Sequence, residues 1–312
     1  MSSTKWTAQD IPDLSGKVMI VTGGNSGLGY WSVFELARKG AHVIMTARDM
    51  AKGEKARQQI VADVPSASIE VMRLDLADLS SVRAFAESFG QKHAQLDVLM
   101  NNAGVMAMPR RETKDGFEMQ FGTNHLGHFA LTGLLFDHIV NTPNSRVVTV
   151  SSGAHTRSAG INFDDLMGER EYGKWAAYSQ SKLANLLFAY ELQRLFDKMG
   201  VSAISVGAHP GYAATNLQNV DDAPIARFIL KITNRVFAQD ARQGALSQLY
   251  AATAPDVRGG DYVGPTGLMG MRGTPGIVKS SEASYDEAAA KRLWEVSEQL
   301  TGIAYPQVAV AS

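Results

Sequence analysis

The strongest constraint in this sequence is its rhythm. Short, almost uninterrupted apolar runs alternate with longer stretches whose apolar residues recur at helical spacing. KVMIVT (17–22), AHVIMT (41–46), SIEVMRL (68–74), DVLMN (97–101), RVVTVS (146–151) and VSAISVG (201–207) read as strands. Gly27 to Lys39, Met50 to Ala62 and Leu79 to Lys92 read as helices between the first four, with further helical stretches near 117–140 and 175–198. Strands that are apolar at nearly every position are covered on both faces. Strand-helix-strand repetition predicts an α/β fold built on a doubly wound parallel sheet with right-handed crossovers. No linker rich in Gly, Pro or Ser and no repeat divides residues 1–312, so a single domain is expected, closed by a helix and tail over 280–312. Two irregular segments, 153–174 and 209–239, interrupt the rhythm. In such a sheet they flank the carboxyl ends of the strands, where ligands bind.

Composition closes several routes. The chain has no cysteine, which excludes disulfides, thiolate zinc sites, iron–sulfur ligation and cysteine nucleophiles. A net charge of -1 offers no basic field to nucleic acid. The N-terminus MSSTKWTAQDIPDLSG lacks an apolar signal core, and no run approaches the ~18 apolar residues of a membrane span. A cytoplasmic protein without a membrane span is expected.

Directly after the first strand comes Thr22-Gly23-Gly24-Asn25-Ser26-Gly27-Leu28-Gly29. Glycines let the backbone turn sharply and approach a pyrophosphate, while the helix that follows aims free N–H groups at the anion. Between a strand and a helix, this turn predicts a dinucleotide site. The spacing of Gly23, Gly27 and Gly29 differs from the commoner G-x-G-x-x-G, and no Lys follows as in a Walker loop. An acid at the tip of the second strand would bind a ribose 2′-hydroxyl. Here the strand ends Thr46-Ala47-Arg48, and a guanidinium suits a 2′-phosphate, so NADP(H) is the expected cofactor. Asp49 complicates this; its simplest role is N-cap of the next helix.

Tyr178 and Lys182 stand four apart at the start of a strong helix and share a face. A free phenol, with a pKa near 10, is a poor acid or base at neutral pH, and a neighbouring ammonium lowers it. RVVTVS runs into Ser151 and Ser152, of which only one can face a ligand, and the sequence does not choose. Asn124, in GTNHLGHF, either helps the site or is a packing polar group satisfied locally.

TGGNSGLG (22–29), NNAG (101–104), Asn124, VSS (150–152), Tyr178-x-x-x-Lys182 and HPG (209–211) occur in the order found in short-chain dehydrogenases/reductases, which this chain resembles over about residues 15–265. GTNHLGHF, SSGAH, YSQSKLAN and LWEVSEQLTG resemble the branch containing retinol dehydrogenases and their soluble bacterial relatives. The resemblance implies a Rossmann fold and an oxidoreductase acting on a carbonyl/alcohol pair. It assigns Ser152 to the substrate oxygen and Tyr178 to proton transfer. It gives Lys182 the nicotinamide ribose and the tyrosine pKa, and Asn124 a water linked to Lys182. It also implies Asp75 and Leu76 at the adenine, Asn102, Ala103 and Gly104 along the cofactor, and Pro210, Gly211 and Thr215 at the carboxamide end.

Two features depart from the family pattern. Tyr178 lies 26 residues after Ser152, roughly twice the spacing of the shortest members, which makes 153–174 a pocket rim. No membrane anchor like that of animal retinol dehydrogenases is expected, so retinoid activity is not carried over from the resemblance. The segment 222–237 reads as an apolar lid with a basic stripe, or alternatively as a membrane-surface helix. Met106, Met108, Phe163, Leu166, Trp175 and Tyr212 suit a lipophilic small-molecule substrate, or simply a core. His125 and His128 read as packing rather than metal ligands, and His155 and His209 border the site without assigned chemistry. Family analogy puts a homodimer or homotetramer interface on the helices at 117–140 and 175–198. The alternatives are a double-bond reductase of the protochlorophyllide-reductase type, a sugar-nucleotide epimerase, and a catalytically silent NADP-sensing protein.

Overall fold

A computed structural model describes residues 5–211, 241–267 and 270–306. All six expected strands form: β1 (Val18–Val21), β2 (His42–Ala47), β3 (Ser68–Arg73), β4 (Val98–Asn101), β5 (Arg146–Val150) and β6 (Ile204–Ala208). Two short strands, β7 (Tyr262–Pro265) and β8 (Pro275–Ile277), extend the sheet beyond the sequence reading. Neither carries an apolar run; both exist because neighbouring strands offer backbone partners. The order is β3-β2-β1-β4-β5-β6-β7-β8, parallel except for β8. The chain winds outward from β1 in one direction and from β4 in the other. The crevice of a doubly wound sheet opens at that reversal, beyond the carboxyl ends of the strands.

Alternate residues of each strand feed opposite cores. Met19, Val21, Val43 and Met45 pack with α1 (Gly27–Arg38), α2 (Met50–Asp63) and α8 (Ala241–Thr253). Ile20, Ile44 and Leu99 face α3 (Leu79–Lys92), α5 (Gly127–Leu134) and α7 (Lys174–Met199) through Phe85, Phe89, Phe129 and Phe188. Among the described residues no helix is long and apolar enough to cross a membrane.

The stretch 117–140 is not one helix. It divides into α4 (Met119–Phe121), a π-helical turn over Gly122–Leu126, α5, and α6 (Phe136–Val140). The glycines inside it permit close approach: a Cβ on Gly127 would meet the Leu76 carbonyl oxygen at 2.4 Å. The last helix, α9 (Glu287–Thr301), packs on α7, with Leu293 and Ala290 against Phe121, Leu126, Leu183 and Leu187. His125 contacts Ser297 Oγ at 2.9 Å, and Trp294 stacks on Phe188 with centroids 5.7 Å apart. The face to which family analogy assigns a subunit interface is therefore partly occupied by the chain's own α9.

Candidate active site

The crevice is organised around Thr22, at the end of β1. Its hydroxyl accepts from the backbone N–H of Asn102 (2.8 Å) and of Ala103 (2.9 Å). It also meets His128 Nε2 at 2.9 Å. His128 Nδ1 lies 2.9 Å from the Asn124 carbonyl, so Nδ1 carries the proton and Nε2 accepts from Thr22. The Asn102 side chain donates to the Thr22 carbonyl at 2.7 Å and accepts from Gln248 at 3.0 Å. The glycine turn, the NNAG segment and the π-turn are thus one hydrogen-bonded unit.

The turn leaves no room for side chains at its closest point. A Cβ on Gly29 would lie 2.3 Å from the Gly23 carbonyl oxygen and 2.7 Å from Asn102 Nδ2. Gly23 and Gly27 adopt φ of +64° and +56°, in the left-handed region. Ser26 is exposed and makes no side-chain cap to α1, whereas Asp49, Asp78 and Asp286 cap α2, α3 and α9. The first N–H groups of α1 are left for an anion, and half-buried Asn25 and Leu28 flank them. The residues present fit a pyrophosphate.

Arg48 is exposed just beyond β2 and makes no ion pair or hydrogen bond among the described residues. Asp49 caps α2 through Lys52 N at 3.2 Å, which explains an acid beside Arg48. Asp75 accepts from Ala77 N at 3.0 Å, and the Leu76 side chain is buried in the core. Gly211, with φ +70°, fits closely under the Met271 carbonyl, which a Cβ would approach to 2.5 Å. Half-buried Pro210 precedes it. Thr215, Tyr212 and the whole 222–237 segment lie outside the described residues.

Tyr178 and Lys182 are both buried on one face of α7, with Lys182 Nζ 5.9 Å from the phenol ring centroid. Nζ donates to the Val150 carbonyl at 3.0 Å. A Cβ on Gly104 would stand 3.4 Å from Nζ and 3.1 Å from Asn124 Oδ1, so this glycine keeps the space above the lysine open. Asn124 Oδ1 accepts from Val105 N at 2.8 Å; its Nδ2 donates to the Val105 carbonyl and to Ser181 Oγ, each at 2.9 Å. Its side-chain amide is pinned by the protein itself.

The two serines separate clearly. Ser151 is buried and donates to the Lys182 carbonyl at 2.7 Å, a structural bond tying β5 to α7. Ser152 is half-buried; its hydroxyl accepts from Ala154 N at 3.2 Å and faces the Tyr178 phenol. Burial raises the Tyr178 phenol above its ordinary value, and the Ser152 hydroxyl acts the other way. This is opposite to the direction expected from a neighbouring ammonium. The reason is the desolvation of the phenol itself; burial also pushes Lys182 down, to about 8.

The family model described as short chain dehydrogenase matches residues 17–224. This chain belongs to that family. Mouse (Mus musculus) retinol dehydrogenase 14 is 40% identical over 306 residues, covering 93% of this chain and 87% of its own. Mouse retinol dehydrogenase 12 is 40% identical over 295 residues, with 93% and 88% covered. Among solved structures, an uncharacterized protein from Mycobacterium Paratuberculosis is 45% identical with a TM-score of 0.81, covering 97% of this chain and 100% of that one. A Pseudomonas aeruginosa RhlG/NADP active-site complex, 20% identical with a TM-score of 0.64 over 80% of this chain and 94% of that one, shares the fold. The chain is thus an oxidoreductase of the retinol dehydrogenase-like branch, of a family that uses a nicotinamide dinucleotide.

Within this short chain dehydrogenase, the long 153–174 segment is firmly anchored. Tyr172 Oη donates to the Met108 carbonyl at 2.9 Å and contacts buried Glu118 at 3.1 Å. Asp165 accepts from the backbone N–H groups of Glu169, Arg170 and Glu171. Phe163 and Leu166 pack toward α7 and α9, with Arg292 4.2 Å from the Phe163 ring. Trp175 is 43% exposed and meets Tyr178 edge-on at 6.3 Å.

Three residues have positioning roles that the sequence reading did not assign. His155 approaches the Ser152 carbonyl with Nδ1 at 2.6 Å and accepts from Ser281 N at 3.1 Å, fixing the backbone that carries the hydroxyl. Ser181 donates to the Tyr178 carbonyl at 2.8 Å while receiving Asn124. His128 bridges Asn124 to Thr22. His128 stands four residues after Asn124 and His155 three residues after Ser152, spacings that put each within reach of the residue it holds.

Proposed function

We propose that this chain is an NADP(H)-dependent dehydrogenase/reductase interconverting a carbonyl and an alcohol on a lipophilic small molecule, with Tyr178 as general acid and base. The observation that carries the reading is a buried phenol facing the Ser152 hydroxyl, with a buried lysine 5.9 Å from its ring, beside a glycine turn shaped for a pyrophosphate. When bound, the nicotinamide supplies or accepts the hydride. In reduction, Ser152 donates a hydrogen bond to the substrate oxygen, and Tyr178 Oη gives its proton as that oxygen gains charge. Burial keeps the phenol protonated at neutral pH, so the proton is in place. In oxidation the phenolate takes the proton back, and a charged Lys182 stabilises it. Asn124 holds the 105 loop against α7 and so keeps Gly104 over the lysine.

The preference for NADP(H) rests on exposed Arg48 and on the absence of an acid at the tip of β2. The glycine turn and α1 (Gly23, Asn25, Ser26, Gly27, Leu28, Gly29) would hold the pyrophosphate; Asp75, Leu76, Asn102, Ala103 and Gly104 would line the adenosine and ribose side. Pro210, Gly211 and Thr215 belong to the nicotinamide end in this reading. Trp175 beside Tyr178, together with relatives named for retinol, supports an apolar substrate.

The test is Tyr178→Phe, assayed with a panel of apolar aldehydes and alcohols. Turnover should fall by about 10²–10⁴-fold with NADPH binding retained. Equal turnover would remove the mechanism. A parent enzyme inert on the entire panel, yet tight for NADPH, would favour a silent binding protein.

A further inference from the structure

Away from the crevice, at the amino-terminal end of β2, two histidines and a carboxylate converge. His42 opens β2, Glu70 lies two residues into β3, and His93 is the C-cap of α3. The parallel register pairs His42 with Ser68 and Ile44 with Glu70, which places His42, Ser68 and Glu70 on one face of the sheet, the face that α3 covers. His93 closes the group from above and packs on Phe89 at 4.9 Å.

The distances suit one small cation. His93 Nε2 lies 3.2 Å and His42 Nε2 4.0 Å from Glu70 Oε2. One ligand atom from each residue falls within 4.8 Å of the other two. Tetrahedral zinc at its usual bond lengths needs donor atoms about 3.3 Å apart, so one contact already fits and His42 needs only a small side-chain adjustment. The other nitrogen of His42 is committed, with Nδ1 2.7 Å from Ser68 Oγ. A partner of this kind fixes the tautomer and orients the ligating nitrogen. All three side chains are partly exposed, at 32%, 27% and 13% for His42, Glu70 and His93, so water can complete the coordination.

The geometry points to a divalent transition-metal site, with zinc the fitting ion, formed by His42, Glu70 and His93 and clipping the edge strand β3 to β2 and α3. Two imidazoles and one carboxylate favour zinc and its first-row neighbours over magnesium or calcium. One group opposes the ion: Lys92 Nζ sits 2.6 Å from Glu70 Oε1. That lysine is 52% exposed and free to swing out, and it holds the oxygen the metal does not need. The site stands at the opposite end of β2 from Arg48 and is independent of the proposed oxidoreductase chemistry.

The experiment titrates untagged, chelator-treated protein with zinc by calorimetry and with cobalt by visible absorption. One equivalent should bind, cobalt should give a tetrahedral d–d band, and zinc should raise the melting temperature. His42→Ala, Glu70→Gln and His93→Ala should each weaken zinc by at least about tenfold. Lys92→Met should tighten it, because the competing ammonium is gone. Circular dichroism and a metal-free melt confirm that each variant folds. Absence of stoichiometric binding in the folded parent, or binding unchanged by all four substitutions, would overturn the assignment.

Discussion

Arg48→Ala separates cofactor recognition from folding with little ambiguity. The guanidinium is exposed and makes no ion pair or hydrogen bond among the described residues, so its removal breaks nothing on which the fold depends. The melting temperature should stay within about a degree of the parent, as for surface changes generally. Its contribution appears only when a 2′-phosphate is present. Charge-assisted hydrogen bonds are worth about 1.5–3 kcal/mol, which converts to about 10- to 150-fold. The assay measures kcat/KM for NADPH and NADH side by side with one aldehyde. The loss should fall on NADPH, mostly in KM, with NADH unchanged or improved. Equal losses on both cofactors, or no loss on NADPH, would refute the reasoning and place the 2′-phosphate elsewhere. Adding an acid as Ala47→Asp is a poorer test, because Ala47 is buried.

Two further outcomes follow from the structure. Gly29→Ala drives a methyl into the Gly23 carbonyl and Asn102; overpacking of this kind costs about 1–3 kcal/mol, so the variant should melt lower and bind NADPH more weakly, and an unchanged KM would contradict the tight-turn account. Burial pushes His125 down to about 3 and His128 to about 4, so between these values and the ordinary ~6.5 the unfolded chain binds protons that the folded chain refuses. Stability should therefore fall as pH drops below that ordinary value, by about 2 kcal/mol per histidine at about pH 5. Urea unfolding at the two pH values measures it, and coincident midpoints with equal slopes would show that these rings are not buried neutral.

Much of this protein is local information. The strands from β1 to β6 are legible because covered strands must be apolar at consecutive positions. The glycine turn is legible because glycine adopts the φ near +60° of Gly23 and Gly27 without the steric cost of a side chain. The pairing of Tyr178 with Lys182 follows from helical pitch alone, and Asp49 as a cap follows from its place before α2.

Contacts between distant segments decided the rest. Ser151 and Ser152 are equivalent in sequence; they diverge because Ser151 N bonds the Ala208 carbonyl at 2.7 Å and remains in the sheet, while Ser152 leaves it to begin a 3-10 turn. The close approach of the Leu76 carbonyl to Gly127 joins segments distant in sequence, and α9 reaches across to cover α7. The sign of the Tyr178 shift is likewise tertiary. Sequence places an ammonium one turn away, but desolvation depends on everything packed around the phenol, and here it outweighs the neighbour. Spacing along a chain fixes which side chains share a face, whereas how dry that face becomes is set by segments that arrive from elsewhere.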